Sequence, residues 1–88
     1  MLPPDSDLNK IGVAFLLTDL DVALTFMDTS DVSRIRETIL RNHKNARTAY
    51  DNVLRLLEKL TPDVLQQQTI DEKLALLKRR LLAAGQEF

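Results

Sequence analysis

No proline falls between Pro4 and Pro62, and the two glycines of the chain are Gly12 and Gly85. Proline removes a backbone donor and its ring collides with the preceding turn, so it breaks a helix interior. Glycine in a helix costs about 1 kcal/mol relative to alanine. A long stretch almost free of both, and rich in Leu, Ala, Lys, Arg, Glu and Gln, is committed to helix.

The apolar repeat divides that stretch. Asp5, Ser6 or Asp7 is placed to cap a first helix over about 7–28. At 100° per residue its apolar side chains form two arcs. One holds Val13, Leu16, Leu17, Leu20, Ala23, Leu24 and Met27; the other holds Leu8, Ile11, Phe15, Val22 and Phe26. A surface helix ordinarily carries one apolar stripe, so two arcs imply cover from two directions. Asp28–Asp31 reads as a tight turn. A second helix follows over about 32–60, with Val32, Ile35, Ile39, Ala46, Ala49, Val53, Leu56, Leu57 and Leu60 on one face. Thr61-Pro62 ends it, because a residue before proline is pushed out of the helical region.

Thr69 and Glu72 fit a capping box, which predicts a third helix over about 70–84 with Ile70, Leu74, Leu77, Leu81 and Ala84 inward. Gly85 is placed to end it in the left-handed conformation. The expected fold is all-α: an antiparallel three-helix bundle, one domain over 1–88. At ~1.5 Å per residue the second helix would be about 43 Å long and the third about 23 Å. So short a third helix would cover half of the helix 1–helix 2 hairpin and leave Val22, Phe26, Val32, Ile35, Ile39 and Leu40 partly open.

Composition narrows the function classes. The chain has 88 residues, 44% hydrophobic and 28% charged, which describes a folded domain rather than a disordered one. It has no cysteine, so it forms no disulfide, and a reducing, cytoplasmic setting is expected. The longest apolar run, Ile11–Leu17, is far short of the ~20 residues that span a bilayer, and no membrane association is expected. A single histidine and no cysteine make no convincing metal site. No catalytic or cofactor motif is present, and the expected protein is not an enzyme.

Three features remain. Phe15, Val22, Phe26 and Ile35 are the candidate interface, for a homo-oligomer (a dimer) or a partner helix. Two buried phenylalanines would contribute a few kcal/mol at ~25 cal/mol per Å². Asn42 interrupts the core face of the second helix and His43 lies at its margin. With a turn near residue 30 they fall level with Asp19, and Asp19, Asn42 and His43 form a candidate structural polar cluster that fixes helix register. The alternative is a ligand binder or enzyme using Asp19, His43 and Tyr50.

The charge layout is the third feature. Residues 1–31 hold six acids and one lysine, while residues 32–60 hold seven Lys or Arg and three acids. Arg34, Arg41, Lys44, Arg55 and Lys59 suggest a nucleic-acid or anion-binding alternative. Against it stand a net charge of −1 and the i to i+4 pairings Glu37–Arg41 and Asp51–Arg55. Gly12 falls level with Ala46 and Ala49 in that register, which predicts a close helix–helix approach.

Asn45-Ala46-Arg47-Thr48-Ala49-Tyr50-Asp51, followed by Val53 and Leu54, resembles the second helix of a tetratricopeptide repeat in the spacing of Ala46 and Tyr50. The whole chain is similar to small uncharacterised bacterial all-helical proteins. Neither resemblance implies an activity. The reading that the residues favour is a non-enzymatic interaction or assembly module, self-associating through the helix 1–helix 2 hairpin.

Overall fold

The computed structural model describes residues 1–88, and its only regular elements are three helices: α1 (Asp7–Val32), α2 (Arg36–Leu57) and α3 (Val64–Ala83). They pack as an elongated three-helix bundle of 45 × 18 × 18 Å. No helix is long and apolar enough to cross a membrane.

The α1 cap lies where the sequence placed it. The Ser6 hydroxyl accepts the Asn9 N–H at 3.4 Å. The end of α1 differs from expectation. Asp28–Asp31 continues the helix, and the turn is Ser33–Ile35 instead. Polar capping residues do not end a helix when packing continues on the other face, and Met27 and Ser30 are both buried there. α2 consequently starts later, at Arg36, with no side-chain cap.

α3 starts six positions earlier than the Thr69 signal predicted. A different capping box forms: Asp63 Oδ1 accepts the Gln66 N–H at 2.7 Å, and Gln66 Oε1 accepts the Asp63 N–H at 2.9 Å. Pro62 sits just before this cap, and Thr69 becomes an ordinary helical residue whose hydroxyl donates back to Leu65 O. The far end agrees with the sequence. Gly85 has φ 96°, and the N–H groups of Gly85 and Gln86 close back onto Leu82 O and Leu81 O. That pair of bonds is the Schellman ending, which needs a residue without a Cβ penalty at the left-handed position.

The core combines Val13, Leu16, Leu20, Ala23 and Met27 of α1 with Ala46, Ala49, Tyr50 and Val53 of α2. Ile70, Leu74, Leu77 and Leu81 of α3 and Leu60 of the connecting segment complete it. Gly12 meets Leu60 rather than Ala46 or Ala49: a Cβ there would lie 2.6 Å from Leu60 Cδ2. The later turn shifts the whole α1–α2 register. Pairings of Asn9 with Thr61, Gly12 with Leu60, and Ser30 with His43 define it.

α3 runs parallel to α1 and spans its length from about Gly12 upward. Lys73 pairs with Asp21, and Arg80 pairs with Asp28 at 2.8 Å and Asp31 at 2.9 Å. Desolvation opposes the Arg80 charge, but hydrogen bonds to Asp28 and Asp31 outweigh it and raise the guanidinium pKa above its ordinary value. The expectation of a half-length third helix is therefore corrected. The cause is the earlier cap at Asp63.

Candidate functional site

Leu8, Ile11, Phe15 and Val22 are 66%, 65%, 63% and 43% exposed. Their spacing of three, four and seven places them within about 60° on one side of α1. Leu16 and Leu20, on the other arc, are fully buried. Two segments were available to cover the outer arc, and neither does. α3 packs on the far side of α1 through its buried Ile70, Leu74, Leu77 and Leu81 face, with Lys73 and Arg80 paired to Asp21, Asp28 and Asp31 at the margin.

The N-terminal lead-in is tied to the α2–α3 connection at the end of the bundle where α1 begins. Leu2 N–H donates to Lys59 O at 3.1 Å, and the Thr61 hydroxyl donates to Leu2 O at 2.6 Å. Asn9 secures that end. Its Nδ2 donates to Pro4 O (3.2 Å) and Thr61 O (3.0 Å), and its Oδ1 accepts the Thr61 N–H at 2.6 Å. Asn9 was not singled out from the sequence. The signal was there, since it falls on the same helical arc as Val13, Leu16 and Leu20, where a polar residue needs partners.

Of the four candidate interface residues, Phe15 and Val22 lie on this stripe. Phe26 turns inward at the same arc and packs, half-buried, against the core. Ile35 is exposed in the α1–α2 turn, near Val32 and away from the stripe.

The Asp19–Asn42–His43 cluster does not form. In the observed register Asn42 and His43 lie level with Ser30, about 16 Å along α1 from Asp19 at 1.5 Å per residue. His43 Nε2 approaches the Ser30 hydroxyl at 3.1 Å, and that hydroxyl donates to Met27 O at 2.8 Å. Asn42 fixes nothing: its Nδ2 is buried without a partner.

Tyr50 stacks edge-on against Phe88, with ring centroids 5.1 Å apart. The Arg47 guanidinium carbon sits 3.8 Å from the centroid of the Phe88 ring. Asp19, His43 and Tyr50 therefore stand in three separate places. A groove of about 280 Å³ borders His43, with Met27, Ile39, Ala83 and Arg80 in its walls. The charge of Arg80 is already matched by two carboxylates. No group of three or more His, Asp or Glu side chains is gathered for a metal ion.

The charge pairing along α2 also differs from expectation. Asp51 pairs with Arg47 at 3.2 Å rather than with Arg55, whose guanidinium donates to Asn52 Oδ1 instead. Glu37 and Arg41 form no ion pair, and Arg34, Arg41, Lys44, Arg55 and Lys59 are all exposed without a carboxylate partner. Comparison of the chain with models of known protein families, with curated proteins and with solved structures found no match.

Proposed function

We propose that the chain is a non-enzymatic assembly module that self-associates through the outward face of α1. The observation that supports this is Phe15, which stands nearly two-thirds exposed at the midpoint of an uncovered apolar stripe. Contiguous exposed apolar surface on a small protein is the usual mark of an interface. Removing such side chains from water is worth ~25 cal/mol per Å² of apolar area.

Sedimentation equilibrium on wild type and Phe15→Asp tests the reading, with circular dichroism as a check on folding. Wild type at high micromolar concentration is expected as a dimer, and Phe15→Asp as a monomer of unchanged helix content. A wild-type monomer at that concentration overturns the proposal. Phe15 is the better test position than Phe26, which packs against the core and would report on stability.

One observation favours a second reading: the exposed cations Arg34, Arg41, Lys44, Arg55 and Lys59, on α2 and the segments flanking it, have no carboxylate partners. Such a row attracts a polyanion, and binding would weaken steeply with salt. An Arg41→Glu/Lys44→Glu variant should then lose affinity for duplex nucleic acid. Absence of wild-type binding at low salt removes this reading.

A further inference from the structure

Phe88 lies beyond the end of α3, where Gly85 turns the chain back. Its ring settles in a seat built from two helices. Arg47 and Tyr50 stand three residues apart on α2 and so share a face. Lys78 reaches in from α3. The Arg47 guanidinium carbon lies 3.8 Å from the ring centroid, and Lys78 Nζ lies 5.2 Å from it. Tyr50 meets the ring edge-on, with centroids 5.1 Å apart and an interplanar angle of 80°. A ring attracts a cation out to about 6 Å and a second ring out to about 7 Å, so all three groups are in range.

We propose that this seat is a recognition site for an aromatic residue of a partner polypeptide, and that Phe88 plugs it in cis. It uses no residue of the α1 stripe and stands apart from the self-association reading.

Three observations carry it. The seat selects rings. Two cations converge on one ring face, and Lys78 makes no ion pair that would draw it elsewhere. An aliphatic side chain offers no negative face to either of them. The seat also reads backbone. Arg47 Nη1 donates to Glu87 O, the carbonyl just before the ring, so a carbonyl followed by an aromatic side chain is the matching unit.

Finally, the seat does not depend on its plug. Arg47 Nε donates to both Asp51 oxygens, at 3.2 and 3.3 Å, which holds the guanidinium with or without the ring. Phe88 is 47% exposed and joins α3 through Gly85, where even an added Cβ would meet nothing within 4 Å. A half-exposed ring on an unobstructed hinge can leave, and a preorganised seat costs little to refill. The short tether gives the plug an effective concentration on the order of millimolar, which a partner must overcome.

The chain has one tyrosine, so the Tyr50 ring signals report on the seat in an NMR titration. The probe is N-acetyl-phenylalanine amide, whose acetyl carbonyl takes the place of Glu87 O. N-acetyl-leucine amide is the control. Phe88→Ala empties the seat and should bind the phenylalanine probe about tenfold more tightly than wild type, the factor for a seat free in about a tenth of wild-type molecules. Saturable shifts at Tyr50, Arg47 and Lys78, larger with the phenylalanine probe than with the leucine one, support the proposal.

Adding Arg47→Ala to Phe88→Ala should weaken binding about fivefold. Unchanged affinity there overturns the proposal. So does the absence of shifts in Phe88→Ala, an equal response to both probes, or equal affinity of Phe88→Ala and wild type. Circular dichroism checks that Phe88→Ala keeps the wild-type helix content. Should it not, Phe88→Leu, which retains an apolar side chain but no ring face, takes its place in the same titration.

Discussion

The two apolar arcs of α1 are built from the same residue types on the same helix, yet Val13, Leu16, Leu20, Ala23 and Met27 are at most 2% exposed, while Leu8, Ile11, Phe15 and Val22 are 43–66% exposed. Hydrophobicity does not separate them. Attachment does. α3 packs its apolar face on the far flank, the lead-in is tied down at Thr61, and α2 and α3 close over the inner arc. The inner arc is thus consumed in folding, and the outer arc is left exposed.

The sharpest way to break this contrast is truncation on both sides. Leu20→Ala removes a fully buried side chain and should cost about 3–5 kcal/mol in urea unfolding, the transfer and cavity terms acting together. Phe15→Ala, measured below the dimer concentration, should stay within about 0.5 kcal/mol of wild type. Raising protein concentration should stabilise wild type but not Phe15→Ala, because association adds free energy only to the chain that keeps the contact. A loss of 2 kcal/mol or more for Phe15→Ala in dilute solution would mean the outer arc is part of the core after all.

A smaller effect is expected from Asn9→Ala. It deletes three hydrogen bonds and leaves the Thr61 N–H unpaired, which should cost about 1–3 kcal/mol. It also frees the lead-in. Faster amide exchange should appear at Leu2 and Thr61 while residues of the inner arc keep their protection. Unchanged exchange at Leu2 would show that Asn9 does not hold the segment away from the stripe.

Much of the fold was legible from the sequence because it rests on periodicity. The three helices, the inner arc of α1, the Ile70–Leu81 face of α3, and the Gly85 ending all follow from spacing and from one left-handed residue. Helix ends were less legible. Asp28–Asp31 and Thr69–Glu72 both carry capping residues, but so does Asp63–Gln66, and local propensity does not say which of several caps tertiary packing will use.

That ambiguity spread to the polar cluster. Moving the first turn from near residue 30 to Ser33–Ile35 carried Asn42 and His43 away from Asp19 toward Ser30. The exposed stripe was legible as a second arc. That no segment of the chain covers it was not, because this depends on the flank on which the apolar face of α3 packs and on the bonds that hold Leu2.

The smallest expected effect concerns Asn42, which lies on the buried side of α2. Its Nδ2 has no acceptor, so folding removes that donor from water without compensation. An unpaired buried donor costs about 1–3 kcal/mol, and leucine has the same side-chain branching and is a better helix former. Asn42→Leu should therefore raise the unfolding free energy by about 1 kcal/mol, the residual strain of fitting a branched side chain offsetting part of the gain. Thermal and urea midpoints measure this directly. A decrease of more than 1 kcal/mol would show that the amide contributes to the fold, and that burial on this side of the bundle is governed by a polar contact as well as by packing.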